Sequence, residues 1–182
     1  MAKQFPHFED DHLRLIAAQH MFFVGTAAPT GRVNISPKGM DSLRVTGPNR
    51  VVWLNVTGSG NETAGHLQID PRMTLMWCSF DRRPVILRAY GTARAVHPRD
   101  AEWKDLYALF DPIPGARQIY VMEVELVQTS CGYAVPFFEF SGERDTLRQW
   151  ADQRDEAALS AYWDEKNTRT LDGFPTGINA EE

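Results

Sequence analysis

The chain has 182 residues, 43% of them hydrophobic and 24% charged, with a formal net charge of −5. That length suits one folded domain with a real core, and the composition excludes a disordered chain. The basic residues are scattered apart from Arg82-Arg83 and Arg94/Arg99, which excludes a duplex nucleic-acid binder, because phosphate neutralisation needs a concentrated basic surface.

The N-terminus reads MAKQFPHFEDDHLRL, with acids where a signal peptide would be uninterrupted and apolar. No apolar run approaches the roughly 20 residues of a membrane helix. A cytoplasmic protein is expected. Residues 9–20 predict a helix capped by Asp10 or Asp11, with Leu13, Ile16 and Ala17 facing inward. Residues 21–27 predict a strand, and Pro29-Thr30-Gly31 a turn. A second strand over 33–36 is stopped by Pro37, and a third covers 42–45. Gly47-Pro48-Asn49-Arg50 makes a hairpin turn into a strand over 51–56.

Thr57-Gly58-Ser59-Gly60-Asn61-Glu62-Thr63 opens a short helix running to about Ile69, which Asp70-Pro71 ends. Strands follow at 73–80 and 85–96, joined by a turn at Asp81-Arg82-Arg83-Pro84. A helix is expected over 98–110, with proline in its first turn. Residues 118–129 predict a strand with Tyr120, Met122, Val124 and Leu126 on one face and Glu123 and Glu125 on a wetter one. The tail from 143 to 166 predicts one or two helices, with Leu147, Trp150, Leu159, Tyr162 and Trp163 as their apolar stripe. Short strands, tight turns and inserted helices predict a mainly β fold with peripheral helices, an antiparallel barrel. The whole chain, 1–182, is read as one domain with a helical tail from about 143. Without βαβαβ alternation or GxGxxG, a doubly wound dinucleotide fold is disfavoured.

Cys78 and Cys131 lie in apolar, strand-like runs and are expected to be buried free thiols. Neither cysteines nor histidines have metal spacing; His7 and His12 are too loosely placed for a site. HExxH, GxSxG and GxxxxGK[ST] are all absent.

Two segments carry candidate chemistry. Asn34-Ile35-Ser36-Pro37-Lys38-Gly39 ends a strand in a polar cluster with a cation at its corner, which suits an anion; it also suits an ordinary strand-end turn with a solvated lysine. In 57–63, glycines permit close backbone approach, and a helix start leaves amides unpaired for a phosphate. Against that, Ser59-x-x-Glu62 is a capping box that would consume two of those amides. Arg88, mid-strand among apolar neighbours, either faces inward with a partner or lies on a wetter face.

At these residues the sequence resembles the pyridoxamine-phosphate-oxidase-related family of FMN-binding split barrels. The match is carried by NISPKGMDSLRV, WLNVTGSGNETAGHLQIDPR, TLMWCSF and ILRAYGTARAV, then CGYAVPFFEF and KNTRTLDGFP, from about Phe22 to Pro175. The resemblance implies a split β-barrel and a homodimer with FMN sites at the interface. It implies that Lys38, Thr57, Ser59, Gly60, Asn61 and Thr63 contact the phosphate or ribityl tail. Asn34, Ser36, Pro37 and Gly39 would line the isoalloxazine side, with Asn55 near the ring and Arg88 approaching from its strand, across the interface. Where the oxidases offer adjacent Arg and Lys before the short helix, Glu62 and Thr63 stand here, and the chain ends DGFPTGINAEE in place of an Arg-containing substrate motif. The expectation is an FMN-dependent oxidoreductase acting on a small molecule other than pyridoxamine phosphate, with no residue assigned as catalytic. Tyr133 and Asp172 are candidates only by their place in family-like motifs. A deazaflavin reductase and a non-catalytic flavin- or tetrapyrrole-binding protein are the alternatives.

Overall fold

A computed structural model describes residues 2–179. The strands are β1 (Lys3–Phe5), β2 (Phe22–Thr26), β3 (Asn34–Lys38), β4 (Leu43–Gly47), β5 (Arg50–Val56), β6 (Arg72–Cys78), β7 (Val85–Val96) and β8 (Ala116–Cys131). They form one antiparallel sheet in the order β3-β2-β6-β7-β8-β5-β4, with β1 added along β8. The sheet coils into a split barrel: its two end strands, β3 and β4, are consecutive in the chain and joined by a short corner.

Burial explains the coil. In β5, Val51 and Trp53 enter one apolar cluster with Val24, Leu75, Leu87 and Tyr120, which is the barrel interior. Val52 and Leu54 enter a second cluster with Val96, Leu106, Phe110 and Ile119, packed outside the sheet. β5 is therefore apolar on both faces, so its sequence runs continuously apolar and does not alternate. The second cluster is roofed by α3 (Trp103–Tyr107), far shorter than the helix expected over 98–110; turns occupy the remainder of that segment.

β7 and β8 pair along their length, with a register shift between Tyr90 and Gly91. A Cβ at Gly91 would lie 1.9 Å from the Glu123 carbonyl oxygen, so only glycine fits this bulge. Strand boundaries fall within a few residues of expectation, but Pro37 does not stop β3. It pairs with Phe23 inside the strand, tolerated because β3 is a sheet edge.

Three further expectations are corrected. In α1 (Asp10–Ala17) the N-cap is Glu9, whose backbone N–H donates to His12 Nδ1 at 3.0 Å, and the buried residues are His12 and Leu15; Leu13 is exposed. Cys78 is buried as expected, but Cys131 is exposed at the end of β8. The tail forms α4 (Thr146–Asp152) and α5 (Glu156–Lys166), and α5 buries no residue. Between the strands and this tail sits α2 (Glu62–Leu67).

Candidate functional site

Two strand ends and one loop meet in a cleft of about 450 Å³. β3 brings Asn34, Ser36, Pro37 and Lys38; β5 brings Asn55; the loop into α2 brings Thr57 through Thr63. Lys38 and Ser59 thus share one cleft, and every expected cofactor residue except Arg88 lines it. Arg88 sits on β7, where its Nη1 donates to Ser130 Oγ at 3.1 Å, away from the cleft of its own chain.

The corner after Lys38 is not made by Pro-Lys-Gly, as expected. Met40 and Asp41 make it, with φ of 63° and 52°, in the left-handed region that costs a side-chain-bearing residue roughly 1–2 kcal/mol. Ser42 Oγ braces it by donating to the Gly39 carbonyl at 2.7 Å. Met40 lines the cleft as a result.

The loop differs from its sequence reading in a way that favours an anion. The capping box is not formed: the N-cap is Asn61, and no side chain caps α2. Glu62 turns to the C-terminal tail, where its carboxylate accepts the Leu171 N–H at 3.1 Å. Glu62 still lines the cleft beside Gly60, but its carboxylate is held by the tail and pairs with neither Lys38 nor Arg117. Thr57 offers less than expected, because its hydroxyl donates to the Gly115 carbonyl at 2.7 Å and accepts from Trp163 Nε1 at 2.9 Å. Thr63 Oγ1 accepts from Asn34 Nδ2 at 3.4 Å, tying the loop to β3.

The residue that sequence reasoning missed is Arg117. It is the second residue of β8, at the register shift between the Val56–Ala116 and Asn55–Gln118 pairs, is only 3% exposed, and lines the cleft. Its Nη1 donates to the Gly60 carbonyl at 3.1 Å and to Asn167 Oδ1 at 2.5 Å, while its Nε has no partner. Among the described residues neither Arg117 nor Lys38 has an ion-pair partner. Burial pushes the Lys38 ammonium down to about 8, and the Arg117 charge adds to that. Burial likewise pushes Arg117 down to about 10. Two desolvated cations without a counter-charge are costly, and an anion between them would offset that cost. The only sequence signal for Arg117 was an arginine immediately before the strand expected over 118–129.

Asn167, fully buried, fixes the loop from behind. It donates to the Gly58 carbonyl at 3.1 Å, and its own carbonyl accepts from Asn61 Nδ2 and Thr176 Oγ1. Gly65 in α2 makes room for this tail, since a Cβ there would meet Thr170 Cγ2 at 2.2 Å. On β5, Asn55 Nδ2 donates to Gln118 Oε1 at 3.0 Å, and the fully buried Gln118 Nε2 has no partner among the described residues. Neither Tyr133 nor Asp172 lines the cleft. Tyr133 is 83% exposed, and Asp172 accepts the Arg32 N–H at 2.6 Å and pairs with its guanidinium. Among the described residues no cluster has the makings of a metal site.

Residues 8–131 match the family model described as pyridoxamine 5'-phosphate oxidase. The chain belongs to the pyridoxamine 5'-phosphate oxidase family. It is 34% identical over 180 residues to the pyridoxamine 5'-phosphate oxidase family protein ustO of Aspergillus flavus, covering 86% of this chain and 70% of that protein. Solved structures share the fold at lower identity. HupZ of Group A Streptococcus superposes with a TM-score of 0.54 at 20% identity, over 65% of this chain and 91% of that one. HutZ, the haem storage protein of Vibrio cholerae, superposes with a TM-score of 0.50 at 14% identity, over 70% of this chain and 98% of its own. The family match ends at Cys131, so Asn167 and the helical tail lie outside it.

Proposed function

We propose that this chain is an FMN-dependent oxidoreductase acting on a small organic molecule. The observation that carries the reading is the cleft in which Lys38 and Arg117 face the Gly58–Asn61 loop with no carboxylate paired to either cation. Its donor set suits a phosphate: an ammonium, a guanidinium Nε without a partner, and a glycine-bearing backbone. Arg117 supplies a cation that the Glu62 and Thr63 positions lack.

In this reading Lys38, Arg117, Ser59, Gly60 and Asn61 hold the phosphate tail. Asn34, Ser36 and Asn55 orient the ring by hydrogen bonds, and Met40 and Leu147 exclude water from it. Bound there, FMN would supply two-electron redox chemistry that the side chains do not themselves provide. Pyridoxamine phosphate is not assigned as substrate, because the tail carries Asp172-Gly173-Phe174-Pro175 where the oxidases hold it with arginine.

A homodimer completes the reading. At edge strand β3, Ile35 and the preceding Val33 are 70% and 71% exposed beside Phe23, Met76 and Tyr90, a largely apolar groove with Arg72 and Glu125 in its lining. A two-fold partner would cover such a face and offers a route for Arg88 to reach the other subunit's cofactor. Sedimentation as a dimer at micromolar concentration is expected; a monomer would remove Arg88 from the site.

The test is the identity of the small molecule that copurifies. FMN near one per chain, lost in Lys38→Ala and in Arg117→Met, is the expected result. A colourless protein that takes up only a deazaflavin, or one that holds a tetrapyrrole, would overturn it.

A further inference from the structure

A second cleft, of about 660 Å³, opens directly beside the first and shares Lys38, Gly39 and the Thr57–Ser59 loop with it. Its outer wall is different in kind. Phe140, Leu147, Trp150 and Tyr162 build it, all of them beyond the family-matched segment. The rings are held in place: Phe140 stacks on His20 at 3.6 Å between centroids and 6° between planes, and Trp150 meets Tyr162 edge-on at 5.0 Å. Arg154 lies 4.0 Å from the Trp150 ring centre and covers its other side. Charges of both signs, Glu143 and Arg144, are adjacent on the rim, so the wall selects no net charge. Of the residues assigned to the phosphate, Lys38 and Ser59 reach this cleft, whereas Arg117, Gly60 and Asn61 line only the first.

We propose that this second cleft is a separate binding site for a planar aromatic molecule. It stands on its own lining and does not depend on which cofactor the first cleft holds. Flat rings on the wall offer offset-stacked and edge-on contacts to another ring, worth about 0.5–1.5 kcal/mol each beyond burial. The volume is within the roughly 300–1,000 Å³ range of sites for small organic molecules. The shared Lys38 and Thr57–Ser59 loop put such a ring beside the end of the first cleft assigned to the phosphate. On this view the barrel strands hold one ligand, and the tail adds an aromatic site next to it.

The experiment titrates the protein, as purified, with benzyl alcohol, which cannot condense with Lys38, followed by calorimetry and by the change in tryptophan fluorescence. Saturable binding is expected, weakened about tenfold by Trp150→Ala and about threefold by Phe140→Ala, with bound flavin unchanged in both. Phe140 is 52% exposed, so its truncation tests the site without endangering the fold. Cyclohexanemethanol should bind at least about tenfold more weakly than the aromatic probe. Equal binding of the two probes, or affinity unchanged in both variants, overturns the proposal. So does loss of flavin in Phe140→Ala, which would make the cleft part of the cofactor site. A protein that carries no flavin but binds the probe through Trp150 would sink the cofactor reading and leave the aromatic site standing.

Discussion

The coiled sheet and the segment after Cys131 use apolar residues in opposite ways. In the sheet, Val24, Leu54, Leu87 and Val127 are fully buried, and β5 is sealed on both faces. In the tail, Tyr133, Phe137 and Phe138 are 83%, 76% and 67% exposed, and α5 buries nothing. Yet the tail is tied to the site by polar contacts: Trp163 to Thr57, Asn167 to Gly58 and Arg117, Leu171 to Glu62. The difference teaches that the sheet supplies rigidity through burial, whereas the tail supplies position through a few hydrogen bonds. A site built at their junction inherits a fixed floor and an adjustable wall.

Breaking the sheet side should cost the most. Leu87→Ala opens a cavity in the sealed interior and is expected to destabilise the fold by about 2–5 kcal/mol in urea unfolding. A loss under about 1 kcal/mol would mean the interior is not packed as described. Next comes the hydrogen-bond hub. Asn167→Ala strips partners from Arg117 and Gly58, while the backbone carbonyl that accepts from Asn61 remains, and is expected to cost about 1–3 kcal/mol. It should also speed hydrogen exchange in the glycine loop, whereas exchange in β7 stays slow.

The pH dependence sharpens the role of Lys38. Its folded-state value, about 8, lies below the ordinary lysine value of 10.5, so the folded chain holds this proton less tightly than the unfolded one. Lys38 therefore subtracts stability at neutral pH, and that deficit is relieved as pH rises from about 8 through 10.5. A bound anion reverses the shift, so FMN affinity should fall several-fold from about pH 7 to about pH 9, with proton uptake on binding. Lys38→Met should flatten that slope; an unchanged slope would assign the titration elsewhere. The smallest effect belongs to the exposed tail, where Phe137→Ala should shift stability by less than about 0.5 kcal/mol.

Much of the site was legible before any coordinates. The polar strand end and the glycine-bearing loop each also suited an ordinary turn or helix cap, and the family resemblance was what drew them into one expected site. What the sequence hid were contacts between distant segments. The Ser59–Glu62 spacing signals a capping box, but Leu171, 109 residues away, competes for the carboxylate and wins it. Arg117 reads as a strand residue until the fold sets its side chain against Gly60 and Asn167. Leu13 fits a helical stripe, but α1 docks through His12 and Leu15.

The sequence by itself determined most of the strands and a mainly antiparallel β class, since hydrophobic pattern and turn chemistry act over neighbouring residues. Its family resemblance supplied the split barrel and the two segments that line the cleft. Only the tertiary structure decided which cations meet there, which way Glu62 turns, and that an aromatic wall stands alongside. Those outcomes depend on desolvation and on hydrogen-bond partners supplied from remote parts of the chain, and no local pattern encodes them.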